Sequence, residues 1–301
     1  MKYLKLFDTH SNYEAFASDT LNPMIKPNVS HCVQENDVHY NSHGFSDEYL
    51  TFDILSNGTI VWKARTTATT VATISYKVND GEWINITSST AGTSFNVSEG
   101  DKVMFKGNNS AYAGNRANSN TFGESTASFN ISGNIMSLVG GDSFSNITTL
   151  ESASAFARLF GSAKVVSAEH LVLPATMLSE DCYDSMFFSC TSLTSAPKLP
   201  ATTLTNSCYW GMFASCTSLT TAPILPATTL VNGCYQSMFK DCSNLNYIKA
   251  MFTTTPDAEY TSNWVGNVAG NGTFVKNAAA QWDVTGANGI PSNWSVQTAT
   301  A

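Results

Sequence analysis

The sequence predicts a multidomain, β-rich protein in which an antiparallel β-sandwich is followed by a short repeat solenoid. Apolar residues alternate with polar residues at a period of two between about residues 46 and 138, which is typical of half-buried strands. Two motifs then recur every 26 residues, which indicates stacked repeats. The predicted organisation is an N-terminal attachment segment, a β-sandwich domain, a repeat solenoid and a C-terminal capping region, at residues 1–44, 45–138, 139–252 and 253–301.

Composition favours an extracellular or particle-bound structural protein. Charged residues make up 13% of the chain, about half of the usual share, and Ser, Thr, Asn and Gly replace them. The net charge is -8 with three arginines, so we expect no basic patch for nucleic acid. No run approaches the ~20 apolar residues of a membrane span, so we also expect no membrane insertion.

The first 44 residues predict a segment that needs a partner surface. They show no long helical period, and Pro23 and Pro27 interrupt them. Polar residues from Asp8 onward break the initial apolar run before it reaches ~7 residues, so we expect no export signal here. We expect this segment to attach the protein to other proteins of an assembly.

The second region contains two pairs of alternating segments, each separated by a turn dipeptide. Asn57-Gly58 and Asp80-Gly81 supply the positive φ angles that tight hairpins require, so they predict two hairpins. With the further alternating segments downstream, the region predicts about seven antiparallel strands in an immunoglobulin-like sandwich. The polar residues 108–122 predict a long loop, which either binds a ligand or is simply flexible.

The third region carries the repeats. Leu-Pro-Ala-Thr-x-Leu begins at Leu173, Leu199 and Leu225, and Cys-Tyr-x-x-Met-Phe-x-x-Cys follows each copy at a fixed distance. Within one copy the apolar residues lie at i, i+4 and i+8, which predicts an amphipathic helix of about two and a half turns and thus an α/β repeat. One such unit cannot cover its own apolar face, whereas stacked units can. The predicted repeat core consists of Cys182, Met186, Phe187, Cys190, Cys208, Met212, Phe213, Cys216, Cys234, Met238, Phe239 and Cys242.

The ends of the array are predicted from degenerate sequence. Phe156, Phe160 and Leu171 resemble a first repeat shifted by one residue and lacking its cysteines. Residues 253–301 are rich in Thr, Asn and Gly and contain three tryptophans. We expect this tail to fold over the open end of the solenoid.

The repeats resemble the BspA-like leucine-rich-repeat family of Bacteroidales and their phages. The Leu-Pro-Ala-Thr-x-Leu and Cys-Tyr-x-x-Met-Phe-x-x-Cys-x-x-Leu units carry this resemblance across residues 152–252, and the segments 250–256 and 289–294 look like endings seen in that family. The resemblance implies an adhesive leucine-rich-repeat solenoid.

A second resemblance lies in the N-terminal segment. Residues 27–40, Pro-Asn-Val-Ser-His-Cys-Val-Gln-Glu-Asn-Asp-Val-His-Tyr, look like a leader shared by structural proteins of Bacteroides phages, crAss-like phages among them. There the leader precedes unrelated distal domains, which implies a common attachment module. The implied protein is a virion fibre or decoration protein, on head or tail, with an adhesive repeat tip.

The cysteines and histidines predict neither a cofactor nor a metal site. A helix would separate Cys182 from Cys190 by ~12 Å, beyond disulfide reach, so we interpret the repeat cysteines as small buried apolar residues in two ladders. Cross-repeat disulfides or zinc are the alternatives. A further group near the N-terminus matches no common zinc spacing and is interpreted as surface or interface residues: His31, Cys32, His39 and His43.

One surface position is a candidate for ligand contact. Asp184, Trp210 and Gln236 occupy the same place in successive repeats, and a residue that varies in this way is usually exposed. Trp210, with Asn206 and Ser215 nearby, offers the aromatic ring beside polar groups that sugar rings or protein partners prefer. Packing against the neighbouring repeat is the alternative interpretation.

No catalytic constellation is recognisable. The sequence contains no nucleophile elbow, phosphate loop or His-Glu-x-x-His motif, and the acidic residues Glu180, Asp181 and Asp184 are not repeated in later copies. We therefore expect a non-enzymatic phage virion protein, located on the virion surface, that contacts a host-surface glycan or protein through its solenoid. A bacterial cell-surface BspA-like adhesin is the alternative. We expect a homo-oligomer, either a dimer or a trimer.

Overall fold

The computed structural model describes residues 47–65, 71–115 and 117–299. The expectations for residues 1–44, including His31, Cys32, His39 and His43, lie outside these residues. The described chain is β-rich, with two helices of four residues each, α1 (Ser137–Gly140) and α2 (Ala258–Thr261), and a 3₁₀ turn at Gly141–Ser143. The strands are β1 (Leu50–Ile54), β2 (Gly58–Ala64), β3 (Thr73–Val78), β4 (Ile84–Thr87), β5 (Thr93–Val97), β6 (Lys102–Lys106), β7 (Asn120–Thr121), β8 (Phe129–Asn134), β9 (Val165–Val172), β10 (Tyr247–Ala250), β11 (Thr273–Lys276) and β12 (Ser295–Thr298).

Two sheets of mainly antiparallel strands form the N-terminal part. One has the order β4-β3-β6-β1-β8-β9 and the other the order β5-β2-β7. The alternation seen in the sequence directs Leu50, Phe52 and Ile54 of β1 into the core. Phe52 lies at the centre of an aromatic cluster and stacks on Phe129 with 4.3 Å between ring centroids.

One of the two expected hairpins is present. Strands β3 and β4 pair antiparallel, with Ile74 opposite Ile86, across the turn that contains Asp80-Gly81. The positive φ angle, 52°, belongs to Asn79.

The hairpin expected at Asn57-Gly58 is wrong, because β1 and β2 belong to different sheets. Asn57 accepts a hydrogen bond from the backbone N–H of Glu99 through its side chain, at 2.9 Å. A Cβ atom on Gly58 would lie 2.6 Å from the backbone N of Ala127. The chain therefore passes from one sheet to the other at this dipeptide, where the neighbouring backbone leaves no room for a residue larger than glycine.

The described part of the polar loop 108–122 joins the sheets to the repeats. Tyr112 is fully buried, and its hydroxyl donates to the carbonyl of Leu138 at 2.6 Å. The backbone N–H groups of Tyr112 and Phe122 donate to Ala155 and Leu159 respectively, each at 2.8 Å. Tyr112 and Phe122 thus anchor this loop to the core, while residues 114, 115 and 117 are exposed.

The larger sheet also takes its last strand from the repeat region. Strand β9 pairs parallel with β8, with Phe129 opposite Val165. The same core continues from the sheets through the repeats to Trp294.

The helices expected within the repeats are absent from the described residues. The segment 181–190 is instead a series of turns, in which the N–H of Met186 donates to the carbonyl of Tyr183 at 3.2 Å. Alternate N–H groups donate to the next repeat: Tyr183 to Cys208 at 3.0 Å, and Phe187 to Met212 at 2.8 Å. We call each such turn segment a layer, and the described layers together the repeat stack.

The turns have a repeat length of four residues because every fourth residue adopts a left-handed conformation. Ser185, Gly211 and Ser237 share one position in successive layers and have φ angles of 54°, 57° and 55°. Glycine adopts this conformation freely, whereas most side chains disfavour it. The spacing i, i+4, i+8 in the sequence reflects this four-residue turn and not the 3.6-residue α-helix, which is why the helix prediction is wrong.

Aromatic rings stack between the layers in two columns. Tyr183 lies 5.7 Å from Tyr209, and Phe187 lies 5.6 Å from Phe213, measured between ring centroids of nearly parallel rings. The columns continue upstream to Tyr112 and Phe122 and downstream to the ring of Trp264. The sheets therefore cover one end of the stack.

The C-terminal segment continues the stacking pattern. The N–H of Phe239 donates to the carbonyl of Trp264 at 2.8 Å, as in the preceding layers. Strands β10, β11 and β12 form a parallel sheet in that order. In the part of the chain described here, no helix is both long and apolar enough to cross a membrane.

Candidate ligand-binding groove

A groove of about 290 Å³ crosses the surface of the repeat stack. Four successive layers contribute to it, so its walls exist only when the repeats are stacked. The residues that line it include Arg158 from the first layer, Ser185 and Phe188 from the second, Trp210 and Ser215 from the third, and Lys240 and Asp241 from the fourth.

Trp210 lines the groove and is half-buried. Its backbone is fixed on both sides: its N–H donates to the carbonyl of Ser207 at 3.0 Å, and its carbonyl accepts from the N–H of Ser185 at 2.7 Å. The corresponding residues of the adjacent layers are Asp184, which is 2% exposed, and Gln236, which is half-buried. The tryptophan is thus specific to the third layer.

The structure brings two of the three predicted contact residues together. Ser215 lines the groove with Trp210, and its N–H donates to the carbonyl of Lys240 at 2.7 Å. Asn206 is exposed but is not among the groove's lining residues. Its carbonyl accepts from the N–H of Asp181 at 3.1 Å, which links two layers.

Sequence reasoning missed three side chains of the groove: Arg158, Phe188 and Lys240. The guanidinium carbon of Arg158 lies 4.7 Å from the centre of the Phe188 ring. Phe188 and Lys240 share one repeat position, which Ala214 occupies in the layer between them. This position varies among the repeats as freely as that of Trp210, and the same variation indicates it as a candidate contact position.

The fourth layer brings an ion pair to the groove. The Nζ atom of Lys240 lies 3.8 Å from Oδ2 of Asp241, and both side chains are 41% exposed. Asn267 donates from Nδ2 to Oδ1 of Asp241 at 2.7 Å. The carboxylate is thus held by neighbours on two sides, while the lysine amine keeps access to solvent.

The predicted repeat-core residues line the interior of the stack. All twelve, from Cys182 to Cys242, are 0% exposed. The six cysteines among them are free thiols. Three of these thiols donate to backbone carbonyls of the aromatic columns at 3.0–3.1 Å: Cys190 to Phe160, Cys216 to Phe187 and Cys242 to Phe213.

Burial makes these thiols unreactive. Removal from water raises the pKa of Cys190 and of Cys208 to about 12, since desolvation penalises the thiolate. A thiol in this state is a poor nucleophile and a poor metal ligand. Among the described residues, no group of three or more His, Cys, Asp or Glu side chains is placed to hold a metal ion.

Of the three acidic residues near the second layer, Asp184 is buried in the stack, Asp181 is half-buried and Glu180 is exposed. Asp184 is buried, and its Oδ1 accepts a hydrogen bond from the hydroxyl of Ser185 at 2.7 Å. This hydrogen bond offsets part of the cost of burying the carboxylate.

No family model, curated protein or solved structure matches this chain.

Proposed function

We propose that this chain is a phage virion protein, a head or tail fibre or decoration protein, that displays the repeat stack for adhesion to a host-surface glycan or protein. Residues 1–44 attach it to other virion proteins, and it assembles as a dimer or trimer. The leader-like residues 27–40 support the attachment role, and the resemblance of the repeats to adhesive proteins supports the contact role.

The proposal includes the fold of both parts. The two sheets, with inward-facing side chains from β1 and β2, are consistent with an immunoglobulin-like sandwich. The hydrogen bonds between layers, which join residues 25–26 apart, and the two aromatic columns are consistent with a leucine-rich-repeat solenoid, in which turns replace the expected helices.

The observation that carries the adhesive role is the groove around Trp210. A half-buried tryptophan beside hydroxyl and charged groups is a surface that fits the apolar face of a sugar ring or an aromatic anchor of a protein. Its walls come from four layers whose backbones are bonded to one another. The groove is therefore preorganised, which lowers the entropic cost of binding.

Immunogold labelling tests the location. Antibody raised against this chain is applied to purified phage particles and to bacteria from the source community. Gold at defined virion positions is the expected result and distinguishes head from tail. Unlabelled virions beside labelled bacterial envelopes would refute the virion role and favour the bacterial cell-surface adhesin.

A binding assay tests the role of the groove. Fluorescent full-length chain is incubated with host cells, and Trp210→Ala is compared with Trp83→Ala. Trp83 is also half-buried but lies outside the groove, beside Tyr49. We expect Trp210→Ala to reduce cell binding at least tenfold and Trp83→Ala to preserve it. Equal binding by both variants would remove the groove from the proposal.

A further inference from the structure

In the first layer of the groove, an arginine occupies a backbone position that does not favour a large side chain. Arg158 has a φ angle of 57°, and the residues at the same position in later layers are Ser185, Gly211, Ser237 and Asn263. A left-handed conformation disfavours large side chains, so small residues are expected throughout this column. The backbone thus gives no reason for an arginine here, and such an outlier directs attention to function.

The side chain of Arg158 reaches into the groove. Its guanidinium lies against the face of Phe188, 4.7 Å from the ring centre, and both residues line the groove. A guanidinium that stacks on an aromatic ring in this way is oriented. The Nε atom of Arg158 is buried, so the donors that can face a ligand are those on its two terminal nitrogens. This arrangement suits an oxygen pair on a planar or tetrahedral anion.

A second cation faces the groove from the fourth layer. Lys240 is 41% exposed and has three N–H donors, of which the contact with Asp241 at 3.8 Å engages one at most. The lining thus carries two cations and one carboxylate, whereas the chain as a whole has 23 acidic and 15 basic residues. The sign of charge in the groove is opposite to that of the protein.

Trp210 lies in the third layer, between the layers of the two cations. A pyranose ring stacks its apolar face on a tryptophan, and its substituents then extend sideways. With Trp210 as the platform, a substituent at the edge of the ring reaches toward Arg158 on one side or Lys240 on the other.

We propose that the groove binds an acidic sugar residue, with its ring on Trp210 and its carboxylate or sulfate group paired with either Arg158 on one side or Lys240 on the other. This proposal rests on the adhesive function of the groove and names its ligand class. Charge complementarity favours an anion, because the lining carries two cations and one carboxylate.

Matched oligosaccharides provide the test. The full-length chain is titrated by biolayer interferometry against three immobilised oligosaccharides: a neutral core, the same core with an added sialic acid, and the same core with an added sulfate group. We expect one or both acidic forms to bind at least tenfold more tightly than the neutral core, and we expect this preference to weaken with added salt. The two acidic arms distinguish carboxylate from sulfate.

Variants separate the contribution of each side chain. Arg158→Gln or Lys240→Gln, according to which cation pairs with the acidic group, reduces the preference for the acidic form by about tenfold, and neither variant changes binding of the neutral core. Lys198→Gln removes an exposed charge outside the groove and serves as the matched control, with no change expected. Melting curves of all variants confirm that each is folded.

Each other outcome has a definite meaning. Equal binding of neutral and acidic forms overturns the anion proposal but leaves a glycan-binding groove. An unchanged preference in both Arg158→Gln and Lys240→Gln also overturns it. Binding of none of the three sugars, together with unimpaired host-cell binding by Trp210→Ala, overturns both this proposal and the role of the groove in adhesion.

Discussion

A single substitution at Gly211 distinguishes the turn series of the repeat stack from the helix that the sequence predicts. In an α-helix, replacing glycine by alanine stabilises the protein by about 1 kcal/mol, because glycine loses more backbone entropy on folding. In the structure, Gly211 has a φ angle of 57°. Alanine in this region costs about 1–2 kcal/mol, so the expected effect has the opposite sign.

The surroundings of Gly211 add to this cost. An added Cβ would lie 3.2 Å from the Oγ atom of Ser185, which donates its hydrogen bond to Asp184. We therefore expect Gly211→Ala to lower the free energy of unfolding by about 1–2 kcal/mol. A loss of this size lowers the melting temperature by about 2–4 °C per kcal/mol for a domain of 150–250 residues.

Urea unfolding followed by tryptophan fluorescence measures the effect. The matched control is Gly270→Ala: Gly270 is exposed, its φ angle lies outside the left-handed region, and an added Cβ meets nothing within 4 Å. The control is expected to be neutral or more stable by about 0.4–1 kcal/mol, because alanine restricts the unfolded chain. If Gly211→Ala stabilises the protein as much as the control does, the left-handed turns are refuted.

Three further substitutions or conditions test the packing. Phe213→Ala removes the middle ring of a column and should lower the free energy of unfolding by about 3–5 kcal/mol in the same urea assay. Thr229→Ala, at an exposed site, should lower it by less than about 0.5 kcal/mol, and equal losses would contradict the column. Tyr112→Phe removes the buried hydrogen bond to Leu138 and should cost about 1–2 kcal/mol, and no loss would show that this bond does not hold the loop to the core. Burial raises the pKa of Cys190 and Cys208 to about 12, so above pH ~9 the unfolded chain releases thiol protons that the folded chain keeps. The free energy of unfolding should therefore be constant from about pH 6 to 8 and fall between about pH 9 and 12. A rise in the urea midpoint at about pH 10 would contradict thiol burial.

Local patterns in the sequence predict strands well where one face of a sheet is buried. The alternation of Leu50, Phe52 and Ile54 is enough to predict β1, since a period of two has no other common structural cause. It does not specify the partner strand. The Asn57-Gly58 dipeptide has the composition of a hairpin turn, yet the chain crosses between sheets there because Ala127 approaches Gly58 from a distant part of the sequence.

In the candidate groove too, local sequence indicates some features and tertiary packing decides the others. Variation at the position of Trp210 predicted an exposed residue, but the structure has Trp210 and Gln236 half-buried and Asp184 buried, because each side chain at this position also packs against the adjacent layers. Arg158 and Lys240 are 82 residues apart, and nothing in their local sequence connects them. They line one groove because each layer bonds to the next about 25–26 residues further along the chain.

The 26-residue period and the β-rich character follow from residue order alone, since both are repeated local patterns of apolar side chains. The conformation within each layer does not follow from residue order alone. A period of four and a period of 3.6 differ little over nine residues, so Cys182, Met186 and Cys190 suit a helix and a turn series equally. Stacking resolves the ambiguity, because a turn series leaves every second N–H free to bond to the adjacent layer, whereas a helix uses those donors within itself.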